Sequence, residues 1–228
     1  IIGFILLIKG ADFFVDGASS VAKLLKVPSV IIGLTIVAMG TSLPETAVSV
    51  SASITGNNEL AVSNVVGSNI FNLMVVIGVC AMIATVNVAK ETIKRDIPFS
   101  LICAGLLLLL GILGVGDKSG MMLGHFDGVI FIGAFAGYIF YMIKIALKAS
   151  KEGKKIEIEG GSDEDIKLIS VPLSILFIIG GAAAIAVGGD ITVDAASRIA
   201  SDLGMSQTLI GLTIVSIGTS LPELVTSI

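Results

Sequence analysis

Apolar runs long enough to cross a lipid bilayer dominate this chain. A transmembrane helix needs about 20 such residues, and seven runs of this kind occur, at 2–22, 28–54, 60–86, 97–115, 126–147, 168–189 and 206–228. Of the 228 residues, 54% are hydrophobic and 14% are charged, whereas soluble domains carry about 25% charged residues. The first run lacks a basic leader, so we interpret it as a span and not as a signal peptide. The sequence therefore predicts an all-α polytopic membrane protein and argues against a water-soluble fold.

An internal repeat relates the two ends of the chain. The segment Gly33–Glu45, GLTIVAMGTSLPE, recurs as Gly211–Glu223, GLTIVSIGTSLPE, at a constant shift of 178 positions. The first two spans thus match the sixth and seventh. Because a repeat of five spans is odd in number, the two copies must have opposite orientations in the membrane. Inverted repeats with interrupted helices near the membrane midplane are typical of secondary transporters.

The repeat also predicts the domain organisation. Residues 1–148 form the first five-helix repeat, 149–167 form a loop, and 168–228 form the first two spans of a second, truncated repeat. The loop mixes acidic residues with lysines, and we interpret it as a solvated cytoplasmic linker. A regulatory calcium-binding segment is the alternative.

Positive charges predict the orientation, because Lys and Arg in short loops favour the cytoplasmic side. Alternate connections hold eleven and two of these residues. The sequence therefore predicts a multi-pass protein of the inner or plasma membrane, with the N-terminus outside and the loop 149–167 in the cytoplasm. The cytoplasmic set is Lys23, Lys26, Lys90, Lys94, Arg95, Lys144, Lys148, Lys151, Lys154, Lys155 and Lys167, and the outer set is Lys118 and Arg198.

The repeated motif places a carboxylate beside a predicted helix break. Pro44 has no N–H, which leaves the Gly40 carbonyl without its helical partner, so the helix should kink or unwind there. Glu45 lies at the centre of the second span, where a carboxylate is costly unless it is paired or liganded. Thr41, four residues earlier, lies on the same helix face. We therefore expect oxygen ligands along one stripe of this span.

A second polar stripe lies at the middle of the third span. Ser68 and Asn72 are four residues apart and face one way. Carboxylate, hydroxyl, amide and backbone oxygens are the ligands that hard cations such as Ca²⁺ and Na⁺ select. No thiolate or imidazole ligand is expected beside these oxygens, because Cys80 and Cys103 lie in apolar runs and His125 lies at a loop edge.

Two features have competing interpretations. Ser42 and Glu45 also match a capping box, in which each side chain bonds to a backbone N–H at the start of a helix. The shift of 178 positions further pairs acidic residues of the first and sixth spans, which either line an aqueous gap beside the site or hydrogen-bond across helices. These pairs are Asp12 with Asp190 and Asp16 with Asp194.

Three motifs resemble the alpha-repeats of the cation/calcium antiporter superfamily, and the sodium/calcium exchangers of the prokaryotic type are the most similar branch. The motifs are Gly40-Thr-Ser-Leu-Pro-Glu45, Gly67-Ser-Asn-Ile-Phe-Asn72 and Gly218-Thr-Ser-Leu-Pro-Glu223. The resemblance implies ten spans in two inverted repeats, with ion ligands on the second, third, seventh and eighth spans. The implied ligands in this chain are Thr41, Ser42, Glu45, Ser68, Asn72, Thr219, Ser220 and Glu223, with backbone carbonyls near Ala38 and Ser216.

The expected function is the exchange of Ca²⁺ for Na⁺ by alternating access, with no enzymatic chemistry and no cofactor. A proton-coupled exchanger of the same fold is the alternative, and a simple channel is another. An intramembrane aspartyl protease is a remote one, because Gly114-Val-Gly-Asp117 matches its Gly-x-Gly-Asp motif but no Tyr-Asp pair supplies a second carboxylate. A net charge of −4 without a basic patch argues against nucleic acid. The expected partners are the two ions and the lipid bilayer, and no protein partner is indicated.

Overall fold

The computed structural model describes residues 1–25, 27, 29–32, 35–36, 38–88, 90, 92–113, 123–151 and 168–227, and this part of the chain is nearly all helical. Its α-helices are α1 (Ile2–Leu24), α2 (Ser29–Ile32), α3 (Ala38–Thr41), α4 (Leu43–Ile54), α5 (Asn58–Phe71), α6 (Ile77–Ile83), α7 (Ile97–Leu113), α8 (His125–Lys151), α9 (Val171–Leu203), α10 (Gln207–Ile210), α11 (Ser216–Thr219) and α12 (Leu221–Ser227). Turns of π-helix precede or join some of them, at Asn72–Val76, Thr92–Asp96 and Gly211–Val215.

Within the described residues, four helices are long and apolar enough to cross a membrane: Asn58–Ile83, Thr92–Leu113, His125–Ile145 and Val171–Leu203. Helix α1 has 23 residues but carries Lys9, Asp12 and Asp16. The predicted seventh span contains a shorter apolar helix, Gln207–Thr219, followed by α12. The prediction of an all-α polytopic membrane protein is confirmed.

Helix α9 is longer than the apolar run that predicts the sixth span. That run ends at residue 189, whereas α9 continues to Leu203 and is 33 residues long. Asp190 ends the apolar run, yet its carboxylate accepts a hydrogen bond of 2.5 Å from Ser51 on α4. Small apolar residues up to Ala200 keep one face of α9 buried. The helix ends where Gly204 adopts a left-handed conformation with φ of 64°.

The described helices fall into two compact units. The first contains α1 to α6 and α9 to α12, and the second contains α7 and α8. In the second unit Phe99 stacks on Tyr138 with ring centroids 4.4 Å apart. The Tyr138 hydroxyl donates to Asp96, which also pairs with Arg95 at 2.6 Å. Large apolar side chains such as Leu108 remain exposed in this unit, as expected for surfaces that face lipid.

Helices α1 and α9 cross closely along most of their length in the first unit. A Cβ atom added to Gly10 would lie 2.9 Å from the Gly181 carbonyl oxygen, and one added to Gly188 would lie 2.9 Å from the Gly3 oxygen. The shift of 178 positions relates Gly3 to Gly181 and Gly10 to Gly188, so the contact of Gly10 with Gly181 and that of Gly3 with Gly188 are symmetry copies of each other. Because the earlier glycine of α1 meets the later one of α9, the two helices run antiparallel. Inverted repeats require this arrangement.

The core of the first unit joins these two helices to α4, α5 and the second copy of the motif. Leu7, Val48, Leu60 and Val215 are its fully or almost fully buried apolar side chains, together with Ile210. Helix α4 packs against α5, and α5 packs against α10 and α11. Both copies of the repeated motif therefore lie within one packed body.

Several predicted features lie outside the described residues. Of the loop 149–167, residues 152–167 fall there, as does Asp117 of the Gly-x-Gly-Asp motif. Between the apolar runs 60–86 and 97–115, Thr92–Asp96 forms a π turn that leads into α7. His125 is exposed at the start of α8, as expected for a residue at a loop edge.

Candidate ion-binding site

Both copies of the repeated motif interrupt their helices at the same position. Ser42 separates α3 from α4 with ψ of 7°, and Ser220 separates α11 from α12 with ψ of 8°, far from the helical value of about −42°. The break predicted from Pro44 is confirmed. Ser42 makes no side-chain capping hydrogen bond, so the capping-box interpretation of Ser42 was wrong. The carboxylate that follows each break is free to face another element.

The Glu45 carboxylate meets the second copy of the motif. The Ser220 hydroxyl donates to Glu45 Oε1 at 2.8 Å, across 175 positions of sequence. Glu45 is 9% exposed, and its Oε2 atom is buried without a hydrogen-bond partner among the described residues. Both carboxylate oxygens of Glu223 are also buried, and the charges of the two carboxylates interact. The tertiary structure thus brings together the two glutamates that the repeat relates.

Helix α5 supplies a stripe of neutral oxygens beside these carboxylates. The Ser68 and Thr219 hydroxyl oxygens are 3.5 Å apart and both side chains are buried. One turn further, Asn72 begins the π turn, and its Oδ1 atom is buried without a hydrogen-bond partner within the described part of the chain. π-Helical turns within α-helices are frequent at functional sites. Ser68 contacts the second copy of the motif through Thr219, a pairing that the spacing within α5 did not predict.

The chemistry of the cluster favours a hard cation. It holds two carboxylates surrounded by hydroxyl and amide oxygens, and the described residues include no group of three or more His, Cys, Asp or Glu side chains suited to a metal. Two buried anions repel each other, and a cation between them offsets both the repulsion and the cost of burial. Neutral oxygens complete the shell that Ca²⁺ or Na⁺ needs.

Not every predicted ligand lies in the cluster. The Ser42 side chain is exposed. The Ser216 carbonyl already accepts a hydrogen bond from Ser220 N at 3.1 Å, and its oxygen lies 3.2 Å from the Thr219 hydroxyl oxygen. Ala38 begins α3, and its side chain lies outside the described atoms. The ligand roles of these three residues remain predictions.

Sequence reasoning missed Asn64. This residue is fully buried and its amide contacts Glu45, Ser49 and Thr219. The available signal was its spacing, because Asn64 lies one helical turn before Ser68 and so extends the polar stripe of α5.

All four paired aspartates are exposed, but their observed partners differ. Asp190 accepts a hydrogen bond from Ser51 across α9 and α4, which agrees with the interhelical interpretation. Asp12 instead pairs with Lys9 on its own helix at 3.1 Å.

The fold and the site together define an all-helical membrane protein with two inverted, carboxylate-bearing helix breaks, which is the architecture of a secondary ion transporter. The sequence profile described as "Sodium/calcium exchanger protein" matches residues 1–144 and 173–228. The chain belongs to the sodium/calcium exchanger protein family.

Individual relatives agree with this assignment. CaxA of Alkalimonas amylolytica is 40% identical over 228 residues, which is all of this chain and 69% of that protein. The sodium/calcium exchanger MaX1 of Methanosarcina acetivorans is 31% identical over an alignment that covers all of this chain and 72% of that protein. Among solved structures, the sodium/calcium exchanger from Methanococcus jannaschii matches with a TM-score of 0.52 and 31% identity, covering 99% of this chain and 67% of that one.

Proposed function

We propose that the protein exchanges Ca²⁺ for Na⁺ across the membrane as a secondary antiporter, with no chemical conversion of a substrate. The observation that carries the proposal is the bond between Ser220 and Glu45, which joins the two copies of the motif around a pair of buried carboxylates. The relatives named as sodium/calcium exchangers support the choice of ions. Together these features favour transport over a purely structural role.

The two ions would share one set of oxygens. Glu45 and Glu223 offer about two negative charges, which one Ca²⁺ neutralises, while hydroxyl and amide oxygens also suit Na⁺. Overlapping ligands make occupancy by one ion exclude the other, which is the basis of exchange. The proposed set is Thr41, Ser42, Glu45, Ser68, Asn72, Thr219, Ser220 and Glu223, with carbonyls near Ala38 and Ser216.

Alternating access would expose this site to each side in turn. We propose that α1 and α9 move as a pair against the helices that carry the ligands. The close glycine crossing between α1 and α9 supports such a pair. The sodium gradient and the membrane potential supply the energy, and the potential is worth about 2.3 kcal/mol per charge per 100 mV.

The proposed location is the inner or plasma membrane, with the N-terminus outside and residues 149–167 cytoplasmic. The charge distribution of the loops supports this orientation. We also retain the domain organisation of a first repeat at 1–148 and the start of a second at 168–228. The antiparallel crossing of α1 and α9 is consistent with it.

A flux experiment tests the proposal. Proteoliposomes containing the full-length protein are loaded with Na⁺ and diluted into sodium-free medium that contains Ca²⁺, and Ca²⁺ uptake is followed. We expect uptake that depends on the outward sodium gradient. Uptake driven by a pH gradient and indifferent to sodium would instead indicate the proton-coupled alternative, and uptake that needs no counter-ion gradient would indicate a channel.

A further inference from the structure

We infer that Asn64 is a positioning residue of the ion site, which holds the Glu45 backbone of the first repeat against the Thr219 hydroxyl of the second. The inference rests on the proposed function, since it concerns how that site binds its ion. Asn64 lies in α5 and is 0% exposed. Its amide is therefore restricted to partners within the protein.

Both N–H groups of the Asn64 amide bind the helix that carries Glu45. The Nδ2 atom donates to the Glu45 carbonyl oxygen at 3.2 Å and to the Ser49 hydroxyl at 3.0 Å. The Ser49 hydroxyl donates onward to the Ala61 carbonyl at 3.3 Å, back on α5. Asn64 thus ties α4 to α5 at the residue whose side chain bears the charge.

The amide oxygen of Asn64 faces the other repeat. The Thr219 hydroxyl donates to Asn64 Oδ1 at 3.4 Å and also lies 3.2 Å from the Ser216 carbonyl in its own helix. A hydroxyl has one proton and two lone pairs. When it binds a cation it presents a lone pair to the ion, and its proton must point to an acceptor elsewhere. Asn64 supplies an acceptor on the first repeat, whereas Ser216 supplies one on the second.

This arrangement explains why an amide suits the position. One rigid group must donate twice to α4 and accept once from α11, which a carboxylate, a hydroxyl or an apolar side chain cannot do. Groups that orient a metal's ligands in this way commonly change affinity or activity by about 10- to 100-fold when they are removed. We therefore expect Asn64 to act on ion affinity through the ligands that it holds.

Asn69 provides a matched control on the same helix. It has the same side chain, but it is exposed, and among the described residues its Nδ2 atom donates to the Val65 carbonyl within α5, at 2.9 Å. Replacing it removes an equal amount of side chain without touching the site.

The experiment compares Asn64→Ala and Asn69→Ala in the full-length protein in proteoliposomes. For Asn64→Ala we expect the Ca²⁺ concentration that gives half-maximal sodium-driven uptake to rise about tenfold or more, and for Asn69→Ala we expect no change. A merely structural role would lower the maximal rate and the protein yield and leave the half-maximal concentration unchanged. That result would overturn the inference.

A second variant and a binding measurement guard against ambiguous outcomes. Asn64→Ser keeps one donor and one acceptor and should give a smaller rise than Asn64→Ala. If neither variant yields folded protein, Asn64 is structural and the inference is wrong.

Thermal stabilisation of the purified protein by Ca²⁺ is measured in parallel. Absence of sodium-driven uptake by the wild type would refute the proposed function, whereas equal Ca²⁺ responses of wild type and Asn64→Ala would refute this inference alone.

Discussion

At the scale of single residues, the site is defined by contacts between the two copies of the motif. Glu45 accepts a hydrogen bond from Ser220 of the opposite copy, and the charges of Glu45 and Glu223 interact. These contacts follow from the way the inverted repeats pack. They also mean that neither copy of the motif could form the site alone.

Replacing either carboxylate by an amide tests this arrangement. A unit charge about 4 Å from another contributes about 4 kcal/mol at an effective dielectric of about 20, so we expect Glu45→Gln and Glu223→Gln each to lower the rate of Ca²⁺ uptake more than about a hundredfold. The protein should still fold, because an amide of equal size replaces the carboxylate. Initial rates of Ca²⁺ uptake in proteoliposomes measure the effect.

Glu59→Gln is the matched control for these two variants. Glu59 is exposed and accepts a hydrogen bond from Thr208 at 3.3 Å, away from the cluster. Its uptake should equal that of the wild type. Normal Ca²⁺ uptake by Glu45→Gln would show that Glu45 is not a ligand of the proposed site.

At the scale of secondary-structure elements, broken and unbroken helices have different tasks. The breaks at Ser42 and Ser220 release carboxylates towards the site. The unbroken α1 and α9 form the crossing against which these segments pack. Small residues at membrane helix crossings allow the backbones to approach closely, and here the glycines do so on both helices.

A methyl group at the crossing should destabilise the protein. The Cβ of Gly10→Ala would lie 2.9 Å from two backbone atoms, the Gly181 oxygen and the Ile185 nitrogen, neither of which can move aside as a side chain can. Overpacking of this kind costs about 1–3 kcal/mol. We expect a lower temperature of loss of monodisperse protein in detergent, measured by fluorescence-detected size exclusion.

Gly137→Ala on α8 is the control for this crossing. An added Cβ there meets nothing within 4 Å, and Ala is the better helix former. Its stability should match or exceed that of the wild type. Equal stabilities for Gly10→Ala and Gly137→Ala would mean that the α1–α9 crossing is looser than described.

At the scale of the whole molecule, membership of the sodium/calcium exchanger family and the apolar helices agree on a multi-pass membrane protein. The predicted orientation rests on the loop charges, because Lys and Arg in short loops favour the cytoplasmic side. Eleven Lys and Arg residues on one side against two on the other is a large bias. It predicts which loops an external reagent can reach.

Cysteine labelling tests the orientation. In a background with Cys80 and Cys103 replaced by Ala, we expect Ser162→Cys to resist a membrane-impermeant thiol reagent in intact cells and to react after the cells are opened. Lys118→Cys, in the predicted outer connection, should react in both conditions. Labelling of Ser162→Cys from outside would reverse the proposed topology.

The sequence by itself determined the class of fold, because run length and charge content leave few ways to satisfy a backbone in lipid. It also determined the helix breaks, since Pro44 and its repeat mate Pro222 act locally. Local patterns also predicted Glu45, Ser68 and Asn72 as ligands, because a carboxylate at mid-span and a spacing of four residues are both visible in the sequence. The repeat of Gly33–Glu45 as Gly211–Glu223 then predicted that the two copies are inverted.

Tertiary structure alone decided which of these groups meet. Hydrogen bonds between residues about 150 or more positions apart, such as Ser220 with Glu45 and Thr219 with Asn64, depend on how α4 and α5 pack against α11. No local pattern distinguishes Ser42 from Ser220, yet one is exposed and the other is fully buried. The burial of one face of α9 beyond Asp190, at Val193, Ala196 and Ala200, likewise depends on tertiary packing. Local sequence fixes conformation along the chain, whereas burial and pairing depend on the neighbours that the fold supplies.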